Sequence, residues 1–134
     1  MKFLKISTLI FIGLTSTQVF ADPVEDQFKT LIAPQKTYAK FQKNFDTILG
    51  EIEEISNRGN RTKDSAEIYP MCVALKSAIL VMNNNKSFKA EFDKDYKKFD
   101  TSYNDTLAFA KKGLSDKKKL CEDGKKYYFE HVQK

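Results

Sequence analysis

The residues able to do chemistry gather at one end of the chain. The stretch KKLCEDGKKYYFEHVQK, residues 118–134, holds Cys121, the only histidine (His131) and three consecutive aromatics, Tyr127, Tyr128 and Phe129. The only other cysteine is Cys72. Catalysis by a cysteine needs a CxxC partner or a nearby histidine base. There is no CxxC, and His131 stands ten residues beyond Cys121, about 15 Å along a helix. Hydrolysis of the serine type needs a nucleophile, a base and an orienting group; the single histidine near the chain end and the lack of a GxSxG elbow leave it unsupported. The expectation is that the chain is not an enzyme.

Metal and cofactor chemistry find equally little. A di-iron bundle needs Glu-x-x-His pairs, and none occurs. Asp93, Asp95 and Asp100 are spaced as in a calcium loop but lack its glycine and its final glutamate. Glu51 and Glu54 are one helical turn apart, on the polar side beside Glu53, and read as a solvated face. No CxxCH, GxxxxGK[ST] or GxGxxG is present. Non-covalent haem would use His131 with Met71 or Met82, as in small periplasmic four-helix cytochromes. Both methionines lie on the second long helix, which departs from that family's pattern. The expectation is no cofactor and no metal, with a haem or small-ligand carrier as the alternative function.

Compartment is the clearest signal. Lys2 and Lys5 precede the apolar run Leu9-Ile10-Phe11-Ile12, and Val19-Phe20-Ala21 ends the segment with a cleavage pattern. This is a secretory signal, too short for a membrane span. Residues 1–21 are therefore expected to be removed, leaving 22–134 as a single domain, periplasmic or secreted, with no further membrane span. In an oxidising compartment two cysteines most simply pair, so Cys72–Cys121 is expected to be a disulfide. Three Asn-x-Ser/Thr triplets begin at Asn60, Asn85 and Asn104 and would matter only in a glycosylating pathway.

The elements that must position these residues are helical. No stretch alternates apolar and polar residues long enough to be a strand. A short helix is expected over Val24–Ile32. Tyr38, Phe41, Phe45, Ile48, Leu49, Ile52 and Ile55 define the face of a long helix, which ends at Ser56–Asn60. Asp64 and Glu67 resemble a capping box for a second long helix, with Val73, Leu75, Ile79, Leu80 and Met82 inward. Phe88, Phe92, Tyr96, Phe99, Tyr103, Leu107, Ala110 and Leu114 predict one helix over 87–112, stopped by Gly113. Ser115 would cap the last helix, with Leu120, Cys121, Gly124, Tyr128 and Val132 on one face. The expected fold is all-α: a small four-helix, mainly antiparallel bundle pinned by Cys72–Cys121. Its core would contain Phe41, Phe45, Ile48, Ile52, Phe92, Phe99, Tyr103, Leu107 and Tyr128.

The charge is uneven. The chain carries net +5, but residues 111–134 alone hold eight lysines against four acids. Lysines beside aromatics could bind nucleic acid, but export and the modest total charge speak against it. The remaining reading is a protein partner, an acidic one, met by Lys125, Lys126, Tyr127 and Phe129. The function expected is therefore that of an exported binding protein: an inhibitor, an immunity-type antagonist or a stress chaperone. A signal, an all-helical body and one long-range disulfide are similar in plan to small periplasmic acid-stress chaperones. The likeness is one of plan only.

Overall fold

A computed structural model describes residues 22–62 and 64–133. The expected signal segment, 1–21, lies outside the described residues. Helix α1 (Pro23–Asp26) is capped by Asp22, whose Oδ1 accepts the Val24 and Glu25 amides at 3.1 and 3.2 Å, with Pro23 in the first turn. It does not continue to Ile32 as expected. Its backbone passes into turns, and the carbonyls of Leu31, Ile32 and Ala33 accept from the side chains of Asn44, Asn84 and Asn85. Asn85 is 2% exposed, and its Oδ1 also accepts the Gln35 amide at 2.7 Å. These amides satisfy an irregular segment that would otherwise leave carbonyls unpaired.

Helix α2 (Tyr38–Thr62) buries Phe41, Phe45, Ile48 and Ile55 of the predicted stripe, with Ile52 half-buried beside it, whereas Leu49, expected on the same face, is 40% exposed. Asp64 then caps a 3-10 turn, Ser65–Glu67, rather than the long helix itself. Glu67 turns away from a capping box and pairs with Arg58 at 3.1 Å. That hydrogen-bonded carboxylate holds the Arg58 guanidinium above its usual pKa. Helix α3 (Ile68–Asn84) follows, with Pro70 in its first turn, where a missing N–H costs nothing. Ser65–Asn84 is long and apolar enough to cross a membrane, although no further span is expected from the sequence. Here it is the central helix, with α1, α2, α5 and α6 packed around it. Being covered on several sides, it buries Tyr69, Ala74, Ser77, Ala78 and Val81 as well as Val73 and Met82. Leu75, Ile79 and Leu80 are only half-buried.

The expected helix over 87–112 is two helices. Helix α4 (Lys89–Tyr96) runs into a 3-10 turn, Lys97–Phe99, and Asp100 takes a left-handed conformation, φ 53°. Ser102 then caps helix α5 (Tyr103–Asp116), and the Asp93 carboxylate accepts the Tyr103 amide at 2.6 Å. The reversal carries Phe99 out of the core: it is 65% exposed. Phe92 and Tyr103 are buried, and the half-buried Leu107 and Tyr128 pack against the same cluster. Gly113 does not stop the helix. The break comes at Lys117, and α6 (Lys118–His131) follows without a side-chain cap, so Ser115 is no cap residue. Leu120 and Val132, expected inward, are 47% and 45% exposed. The all-helical class and the disulfide are present. Among the described residues the chain forms six α-helices joined in part by 3-10 turns, where a four-helix bundle was expected.

Tyrosines tie the outer helices to the centre. Tyr103 donates its hydroxyl to the Met82 carbonyl, and Tyr96 donates to Asp46 at 3.1 Å. Burial pushes both phenols up to about 12. Among the described residues, none pairs with the buried Tyr38 hydroxyl. An unmatched buried hydroxyl destabilises by about 1–3 kcal/mol. Tyr38→Phe is therefore expected to leave stability unchanged or raise it by up to about 1 kcal/mol in urea unfolding. A loss above about 1 kcal/mol would mean that the hydroxyl reaches the Asp95 carboxylate, which also acts on its ionisation.

Candidate functional site

Helix α6 is held against α3 in three ways. Cys121 is bonded to Cys72, with Cα atoms 5.8 Å apart. One turn later Gly124 is buried so closely that a Cβ would stand 2.5 Å from Ile68 Cγ2. This contact explains the glycine: any side chain would push α6 off α3. Then Tyr128 and Phe129 pack their rings on Tyr69, at centroid distances of 5.5 and 5.7 Å. Tyr69 in turn donates its hydroxyl to Asp22 Oδ2. Burial, reinforced by the Asp22 carboxylate, pushes the Tyr69 phenol well above its ordinary range.

The four residues expected to bind a partner are divided by this arrangement. Lys125 lies over the Tyr69 and Phe129 rings, at 5.3 and 5.8 Å, with its Nζ 3.8 Å from Asp22 Oδ2. Lys125 and Phe129 thus belong to the junction between the two ends of the described fold. Tyr127 stands about 160° away from Phe129 around the helix. It is 38% exposed and lies 4.6 Å from the His131 ring. Lys126 is outermost, with Nζ 3.9 Å from Glu130.

The Tyr127 edge carries more than was read from the sequence. Tyr127 and the exposed Leu120 flank a notch of about 230 Å³, lined also by Ser65, Ile68, Asp123 and Gly124. The notch shares Ser65, Ile68 and Leu120 with an adjoining cleft of about 370 Å³, which reaches Ile55, Gly59 and Met71 and has Lys117 on its rim. Leu120 is expected on one face with Cys121 and Gly124, one and four residues on. Those steps place it on the flank of the buried stripe, where only the direction of approach of α3 decides exposure.

The other candidates separate. His131 is exposed at the end of α6, Met82 is fully buried near the end of α3, and Met71 lines the cleft. The aromatics of α2 and α4 face one another: Phe92 lies 5.7 Å from Phe45 and 4.1 Å from Tyr96. Among the described residues no group of three or more His, Cys, Asp or Glu could hold a metal ion. Asn85 is buried, whereas Asn60 and Asn104 are exposed on helices. No protein-family model matches the chain, and neither a curated protein nor a solved structure matches it.

Proposed function

We propose that the mature chain is an exported binding protein, periplasmic or secreted, that engages an acidic protein partner through the Leu120–Tyr127 edge of α6. An inhibitor, an immunity-type antagonist and a stress chaperone all act in this way. The observation that carries the reading is the pair of apolar side chains, 47% and 38% exposed, over an open notch on a clamped helix. A tyrosine and a leucine beside a preformed depression supply anchor area without ordering cost. Lys117, Lys118, Lys119 and Lys126 are exposed around them and would speed encounter with a negative surface. The intramolecular disulfide is consistent with an oxidising compartment.

The test is a photo-crosslinking side chain at 120 or 127, with 43 on the far side of α2 as control. A discrete adduct with another protein is expected at 120 and 127 and not at 43. Adducts at all three positions, or at none, would remove the support for this edge. Tyr127→Ala should weaken the interaction by about tenfold or more and leave the melting temperature unchanged. Phe129→Ala should instead lower the melting temperature, because its ring packs on Tyr69.

A further inference from the structure

Helix α3 carries a single charge, and it stands at the midpoint. Every residue from Ile68 to Asn84 is uncharged except Lys76, which lies midway between them. Within α3 only Lys76 and Asn84 are exposed. The fold makes little use of the charge. The Lys76 ammonium lies 3.6 Å from Glu25, with the two side chains 57% and 45% exposed. So wet a pair is worth little, and the same outward position would accept an uncharged or apolar side chain. A lysine at an exposed helix position is ordinary in itself. Its place is what sets this one apart, because it interrupts the stretch Ser65–Asn84 that could cross a membrane.

The charge matters more to the chain before it folds. A chain exported across a membrane offers each apolar segment to the lipid, and a segment of about 20 apolar residues lodges there as a helix. One charge decides the outcome if it is central. At the middle of the bilayer a lysine is among the costliest residues, whereas a charge near a helix end reaches the interface. Glu67 is at an end of the stretch and Lys76 is at its centre. We propose that Lys76 is an export-permitting residue: its central charge keeps the segment that becomes α3 from lodging in the membrane. The chain is then released, folds and closes Cys72–Cys121. In the released protein the same segment is covered by α1, α2, α5 and α6. The inference rests on the export reading and is independent of the α6 edge.

The test uses the full chain, residues 1–134, produced in a bacterial host with a periplasm. Soluble periplasm is separated from membranes, and the membranes are floated on a sucrose gradient to part integrated chains from aggregates. The parent should be cleaved and soluble. Lys76→Leu should raise the ratio of floating to released chain at least about tenfold. Lys76→Asp abolishes the pair with Glu25 but keeps a central charge, so it should be released like the parent. Lys43→Leu, an equal gain in apolarity on the exposed side of α2, should change nothing. Mature Lys76→Leu, refolded and oxidised, should melt within about 3 °C of the parent, so its retention is not a failure to fold. Release of Lys76→Leu at the parent's level overturns the proposal. So does its recovery as aggregate that does not float, or equal retention of Lys76→Asp or Lys43→Leu. A parent that is neither cleaved nor released overturns the export reading itself, and this inference with it.

Discussion

Phe92→Ala is expected to lower stability by about 3–5 kcal/mol, and Phe99→Ala by less than about 0.5 kcal/mol. The two residues occupy the same predicted stripe and differ only in where the chain turns. Phe92 is 1% exposed. Its ring is stacked on Tyr96 at 4.1 Å and set edge-on to Tyr103 at 5.5 Å and Phe45 at 5.7 Å. Truncation would leave a cavity where α2, α4 and α5 meet, walled by rings that cannot collapse without losing their own contacts. Phe99 touches only the edge of that cluster, 6.0 Å from Tyr96, with the Lys98 ammonium 4.9 Å from its ring. Urea unfolding of the two variants with the parent decides the matter. Equal losses would mean that Phe99 is in the core and that α4 runs on into α5.

That contrast marks how far the fold was legible. The α2 stripe could be read directly, because steps of three and four over Phe41, Phe45, Ile48 and Ile55 have no other regular solution. The steps from Phe88 to Leu114 are as regular, yet the chain reverses within them. Periodicity reports which residues are apolar and how they are spaced, and it continues through a turn if the turn is short. No glycine or proline marks the reversal. Asp100 adopts the left-handed conformation instead, one of the few side chains that do so readily. A local signal was present: Ser102 with Asp105 three residues on is the N-cap pattern, just ahead of Tyr103. Gly113 misled in the opposite sense. It lies in the interior of α5 with open space around it, where its loss of about 1 kcal/mol against alanine is tolerated.

The site was legible in part for the same reason. That α6 would be clamped followed from the two cysteines and the expected oxidising compartment. Which of its edges faced outward did not, because a stripe on one helix leaves the position of its neighbours open. Gly124 against Ile68 sets the helix close to α3, Phe129 falls over Tyr69, and Leu120 and Tyr127 are left on the open side. None of these contacts involves residues near in sequence, so no window along the chain could contain them.

The second large effect concerns the bond that holds α6. Cys72→Ala with Cys121→Ala is expected to cost about 4 kcal/mol, the loop-closure entropy of a chain segment of this length. The closed loop spans a separation of 49 residues, from the first turns of α3 through α4 and α5 to α6. A domain of this size is typically stable by only about 5–15 kcal/mol. The loss should therefore lower the melting temperature by roughly 15–20 °C. It should also fall unevenly. The remaining ties of α6 are the Gly124–Ile68 contact, the rings on Tyr69 and the Lys125–Asp22 pair, the last part-exposed and worth little alone. The α2–α3 pair keeps its whole aromatic and aliphatic contact. Hydrogen exchange of the double variant should accordingly show α6 amides losing protection well before those of α2 and α3. Uniform loss would mean that the bond acts on the whole fold through the unfolded chain alone. A cost below about 1 kcal/mol would show that the reduced, unfolded chain already holds these helices together. In the uneven case the Leu120–Tyr127 edge depends directly on oxidation. Reduction would free α6 from α3 and dissolve the notch before the core melts, so the binding proposed at that edge should be lost at reductant concentrations that leave the amides of α2 and α3 protected from exchange.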